Sequence, residues 1–141
     1  MRKMTTEQWH EFVMAGTLTG KLAVTRADGR PHVTPIWFVL DGDDVILNTG
    51  AESIKGKALR RDPRVSLSVD DQRPPYSFVV IEGVAEISED PGELRRWATA
   101  IGGRYMGADR AAEFGARNAI PGELLVRIRP SRVVAQAEIS A

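Results

Sequence analysis

Apolar residues recur along this chain at two different spacings, and the change between them marks the elements. Trp9, Phe12 and Val13 fall at helical intervals, after a Thr5/Gln8 pair with capping-box spacing and before Gly16, a natural stop. A short amphipathic helix over residues 6 to 15 is predicted, with His10 on its solvated flank. From Gly20 the period drops to two. KLAVTR, PHVTPIWFVL and DVILNT are separated by Ala27-Asp28-Gly29-Arg30 and Asp41-Gly42-Asp43-Asp44, both turn signals, and read as an antiparallel meander. The middle segment, nearly all apolar after Pro35, suggests a strand buried on both faces. Pro35 cannot donate to a ladder, so a bulge or a sheet edge is expected there.

Beyond Arg64 the alternation is clean: RVSLSVD places Val65, Leu67 and Val69 on one face. After an aperiodic loop, YSFVVIEGVAEI reads as a long strand kinked at Gly83. Asp90-Pro91 then opens a helix whose Leu94, Trp97, Ala98 and Ile101 share a face and which should end at Gly102-Gly103. A second helical piece spans roughly 108 to 116, and ELLVRIRP and SRVVAQAE supply two closing strands. The fold class is mainly β (α+β): an antiparallel barrel of about six to seven strands with peripheral helices, since closure removes exposed edges. No repeat, low-complexity tract or linker divides residues 1–141, so one domain is expected.

One stretch departs from local preference. In LNTGAESIKGKALRRDPR, Ser53 is a good N-cap and the helix must stop before Asp62-Pro63, because a residue preceding proline is pushed out of helical geometry. Lys55 and Lys57 fall in its first turn, where the helix dipole disfavours cations, with Gly56 between them at a cost of roughly 1 kcal/mol against alanine. Such a turn suits a bound anion, because unpaired amides and ammonium groups then address the same charge. A solvated basic helix end is the plain alternative.

Composition narrows the choice of ligand. Formal net charge is zero, which gives no support for nucleic acid or an anionic membrane as partner, yet residues 55 to 64 carry five cations and one acid. The local excess suits a small anionic ligand. The absence of cysteine excludes disulfides, thiolate metal sites and cysteine nucleophiles. His10 and His32 are the only histidines, both expected at the surface, so neither a haem nor a metal site is expected. The amino terminus is too polar for a secretory signal and no apolar run approaches a membrane span, so a cytoplasmic location is expected.

The order GKLAVTRADGRPHVTPIWFVLDGDDVILNT, SIKGKALRRDPRVSLSV, FVVIEGVAEI, LLVRIRPSRVVA resembles the split β-barrel family of pyridoxamine phosphate oxidase and its flavin-reductase relatives, over roughly residues 15 to 136. The KxKxLRRDPR pattern and the short length look most like the actinobacterial-type branch that binds the deazaflavin coenzyme F420 instead of FMN. The resemblance implies a homodimer with two cofactor sites between the subunits. It implies that Lys55 and Lys57 hold the cofactor's phosphate, with Arg60 as a further basic position. Pro35, Ile36 and Trp37 would run along the ring system, Thr49, Gly50 and Ser53 would lie at the phosphate-bearing tail, and Tyr76 would pack over the ring, from the partner subunit in one arrangement. No second cluster matches a pyridoxal-phosphate substrate pocket, and RPSRVVA lacks the expected Arg-x-His ending, so vitamin B6 oxidation is disfavoured.

The implied activity is hydride transfer from reduced F420 to a small conjugated or quinone-like acceptor. The absence of a Ser/His/Asp or paired-carboxylate constellation is compatible with this, because a cofactor carries the chemistry and the protein binds and orients. An FMN-binding reductase or oxidase on the same barrel, and a non-catalytic carrier of F420 or flavin, are the alternatives. Arg104-Tyr105 could line the substrate mouth, or Arg104 could serve a helix C-terminus. No catalytic acid is assigned.

Overall fold

The computed structural model describes residues 1–141. The elements, in chain order, are β1 (Arg2–Lys3), α1 (Thr6–Val13), β2 (Gly20–Thr25), β3 (Pro31–Ile36), β4 (Val39–Asp41), β5 (Asp44–Gly50), α2 (Ile54–Arg61), β6 (Arg64–Asp71), β7 (Ser77–Ser88), α3 (Pro91–Met106), α4 (Ala111–Asn118) and β8 (Glu123–Ala137). All strands belong to one antiparallel sheet in the order β3-β2-β6-β7-β8-β5-β4, with β1 pairing on the end of β8. The sheet's first and last strands, β3 and β4, are consecutive in the chain and separated only by Trp37 and Phe38. A single stretch of backbone thus bridges the gap, giving a split barrel filled by Leu22, Phe38, Leu47, Leu67, Ile81, Leu124 and their neighbours.

That break corrects the expectation of one strand over 31 to 40. Residues on the outer face of β3, such as Val33 at 59% exposure, have no covering layer, and Pro35 lies on an edge where its missing donor costs no ladder bond. Burial on both faces belongs to β5 instead. Val45 and Leu47 enter the barrel, while Ile46 packs outward against Leu94, Trp97 and Ile101 of α3.

Two further boundaries differ for long-range reasons. The segments 123 to 130 and 131 to 137 form one strand, because Pro130 falls opposite a bulge at Glu82/Gly83 where the ladder is already interrupted. Gly83 permits this bend: a Cβ there would stand 2.5 Å from the Arg129 carbonyl oxygen. Helix α3 runs through Gly102-Gly103 and stops at Gly107, whose φ is 103°. Gly102 lies where α4 crosses, a Cβ there meeting Phe114 Cβ at 2.5 Å, so it serves helix packing and not termination.

Local signals hold elsewhere. Thr5 and Gln8 form the reciprocal capping box, and Asp90 caps α3 with Pro91 at its start. His10 is not merely solvated: its Nε2 lies 2.7 Å from Asp43 Oδ1, pinning α1 to the β4–β5 turn, and its ring meets Trp9 edge-on. His32 is half-buried and its Nδ1 receives a hydrogen bond from Arg26 Nη2 at 3.0 Å. No helix is long and apolar enough to cross a membrane.

Candidate functional site

The start of α2 is built by hydroxyl groups from the end of β5. Ser53 Oγ donates to the Gly50 carbonyl at 2.7 Å and accepts the Gly56 amide at 3.0 Å. With its one proton committed, it is the acceptor in the 3.2 Å pair with Thr49 Oγ1. Thr49 is buried and its proton is used here as well. The two hydroxyls therefore complete the cap on Gly56 and leave the Ile54 and Lys55 amides to others. Among the amides of that turn, Gly56 N bonds Ser53 Oγ and Lys57 N bonds the Ser53 carbonyl. The amides of Ile54 and Lys55 have no acceptor in the chain.

Gly56 has a packing reason of its own. A Cβ there would run into the Gly50 carbonyl oxygen and come within 3.0 Å of the Ala51 carbonyl. Its presence is explained by the close seat of α2 on the end of β5 and requires no ligand. The cationic turn is what remains unexplained by packing.

Lys55 and Lys57 diverge, as residues two apart on a helix must. Lys55 is half-buried and its Nζ donates to Thr34 Oγ1 on β3 at 3.1 Å, leaving two of its protons free. Lys57 points outward, 62% exposed, with Glu52 Oε2 at 3.5 Å. Lys55 thereby ties the free amides of α2 to β3, one residue before Pro35, Ile36 and Trp37. Ile36 enters the core, Pro35 lies on the exposed edge paired with Lys21, and Trp37 projects from the break with 38% of its surface exposed. Lys55 thus joins the start of α2 to Thr34, and Pro35 and Trp37 follow Thr34 along the same edge.

Arg60 and Tyr76 lie outside it within this chain. Arg60 is at the far end of α2, paired with Glu89 at 3.1 Å. Tyr76 occupies the β6–β7 turn with φ 59°, its carbonyl receiving the Ile139 amide at 3.0 Å.

Behind Trp37, the last turn of α3 supplies a support that sequence reasoning assigned differently. The Arg104 guanidinium donates from Nε to the Gly16 carbonyl, from Nη1 to Phe38 O and Met14 Sδ, and from Nη2 to Val13 O and Leu18 O, at 2.7–3.4 Å. All five donors are committed, so Arg104 has none for a substrate and does not line a mouth. It serves the C-terminal carbonyls of α1, a helix other than its own. Burial without a carboxylate partner pushes the Arg104 guanidinium below its ordinary value, and burial raises the Tyr105 phenol. Thr34 and Phe114 are the contributors that spacing did not single out; Thr34 carried one signal, a polar residue at an alternating position before a proline.

The match to the family described as Pyridoxamine 5'-phosphate oxidase spans residues 5–137. The chain belongs to this family. Its pyridoxamine 5'-phosphate oxidase barrel is similar to that of a conserved hypothetical protein from Mycobacterium tuberculosis, at 34% identity over 97% of this chain and 87% of that one, with a TM-score of 0.85. A protein described as an F420 reductase matches at 27% identity over 87% of this chain and 94% of that one, TM-score 0.69. A FAD-binding protein from Mesorhizobium loti, at 21% identity over 95% and 93% of the two chains and TM-score 0.69, shares the fold. Membership of the pyridoxamine 5'-phosphate oxidase family places the chain among oxidoreductases of the split-barrel fold.

Proposed function

We propose that this chain is an F420-dependent oxidoreductase that reduces a small conjugated or quinone-like acceptor, working as a homodimer with its cofactor sites between the subunits. One observation carries the reading. The Ile54 and Lys55 amides have no acceptor in the chain, and the ammonium of the same Lys55, with two protons to spare, reaches Thr34 on the edge strand β3. A phosphoryl group at that point would receive two backbone hydrogen bonds and a charge-assisted one, and it would offset the placement of lysines at a positive helix pole. The donor set therefore fits a phosphate-bearing cofactor. Likeness to the F420 reductase over 87% of this chain favours the deazaflavin among such cofactors.

When bound, that group would supply two-electron hydride chemistry. The protein's part is placement. Thr49 and Ser53 hold the first turn of α2 rigid, turning the Gly50 carbonyl into the cap and away from the anion. Lys55, anchored on Thr34, sets the distance between phosphate and β3. Pro35 and Trp37 line the exposed edge along which a planar ring would lie.

Titration of the full chain with F420 and, separately, with FMN tests this, followed by Lys55→Ala and Lys57→Ala. Lys55→Ala is expected to weaken F420 binding by about 1.5–3 kcal/mol, and Lys57→Ala by less, because its ammonium points away. The thermal midpoint should barely move in Lys57→Ala, an exposed pair being worth at most about 1 kcal/mol. Tight FMN binding without F420 binding would reassign the cofactor. Binding with no oxidation of reduced F420 by a quinone such as menadione would point to a carrier.

A further inference from the structure

We infer that Tyr105 and Arg104 are positioning residues that hold the Trp37 indole as an aromatic wall for the cofactor ring, an inference that rests on the site reading given under Proposed function. Trp37 and Phe38 occupy the only gap between β3 and β4, so no ladder orients this stretch. Helix α3 takes over that role. Tyr105 Oη accepts the Phe38 amide at 3.3 Å while donating to Leu18 O at 2.7 Å, and Arg104 Nη1 donates to the Phe38 carbonyl at 2.7 Å. Both backbone polar groups of Phe38 are thus fixed by two successive residues of one helix.

The same tyrosine fixes the ring next door. The Trp37 and Tyr105 rings lie 4.9 Å apart and 4° from parallel, and Phe114 abuts Trp37 at 6.2 Å and 55°. One face of the indole is therefore covered by Tyr105. With 38% of the residue exposed, the indole is a flat ring held still at the surface, three residues along the chain from the Thr34 that Lys55 contacts. A tryptophan needed only for packing would be buried like Trp9 and Trp97, at 5% and 7%. A ring held flat and left uncovered is preorganised for a second planar ring. Arg104, with every donor spent on backbone carbonyls and the Met14 thioether, reaches the cofactor ring only through this stretch.

The test uses the full chain, F420 as ligand and inorganic phosphate as a competitor that reads the tail end alone. Tyr105→Leu is expected to weaken F420 roughly three- to tenfold, the worth of one aromatic stack, and to abolish the shift of the bound deazaflavin absorption band. The phosphate inhibition constant should not change. Tyr105→Phe, which keeps the ring, should restore the band shift. Trp37→Leu, at an exposed position, should lose the shift as well and covers the case in which Tyr105→Leu does not fold. An unaltered band in Trp37→Leu, or equal weakening of F420 and phosphate in Tyr105→Leu, overturns the inference while leaving the site reading intact. A wild-type chain that binds phosphate but neither F420 nor FMN overturns both.

Discussion

Replacing Gly56 by alanine separates a packing explanation of α2 from a purely ligand-based one, because the two call for opposite signs. Alanine in place of glycine inside a helix stabilises by about 1 kcal/mol when the added methyl meets nothing. Here the methyl meets the Gly50 carbonyl oxygen and lies 3.0 Å from that of Ala51. Both are backbone atoms, and the Gly50 carbonyl is also held by the Ser53 amide at 3.1 Å and the Ser53 hydroxyl at 2.7 Å. It cannot swing aside without opening the cap. Overpacking costs about 1–3 kcal/mol, and a fixed backbone atom puts this case near the upper end, so the net is about 2 kcal/mol of destabilisation. For a chain of this length that corresponds to a fall of roughly 6 °C in thermal midpoint, read by circular dichroism at a fixed scan rate and checked by the urea midpoint. The displaced first turn should weaken F420 binding in parallel. A midpoint that rises in Gly56→Ala would refute the close seating of α2 on β5 and return the glycine to an unexplained concession at the helix start.

Two other perturbations address the support and the surface. Arg104→Met removes the guanidinium donors from the carbonyls of Val13, Gly16, Leu18 and Phe38, and a loss of about 3 kcal/mol or more is expected in urea unfolding; a loss under 1 kcal/mol would mean that water replaces the guanidinium freely. Asp62, held down to about 2 by hydrogen bonds from the Arg64 side chain and amide, contributes stability that is full above its ordinary value of 3.8 and disappears as pH falls through about 2. Asp62→Asn should flatten that part of the acid-stability profile, and an unchanged profile between pH 4 and 2 would count against the pair.

Much of the fold is written in local sequence because it depends on local chemistry. Thr5 with Gln8, Ser53, and Asp90 with Pro91 set helix starts through side chains that reach their own first turns. The alternation of Val65, Leu67 and Val69 needs only a strand with one buried face. Local pattern misleads where a residue answers to a distant partner. Gly102 looks like a stop until Phe114 is known to cross it, and Pro130 looks like a boundary until the bulge opposite is known. The apolar run 35 to 40 cannot reveal that its two halves join opposite ends of the sheet. For the candidate site, α2 and its lysines were legible, but their separation was not. Which lysine meets β3 depends on how the helix is turned against Thr34, and that is fixed by Ala58 and Leu59 entering the core. The Tyr105 support was likewise invisible, since it joins residues 67 to 87 positions apart along the chain.

The junction at Trp37–Phe38 has a consequence for engineering. Because the outermost strands are halves of one uninterrupted peptide, the ring of strands is sealed by covalent bonds at the one place where amide-to-carbonyl pairing is missing. A circular permutant opened between these two residues would keep every ladder in the sheet, yet it would convert a hoop into a ribbon with two loose ends. The same cut would free the indole from its neighbour, so architecture and ligand geometry would fail together.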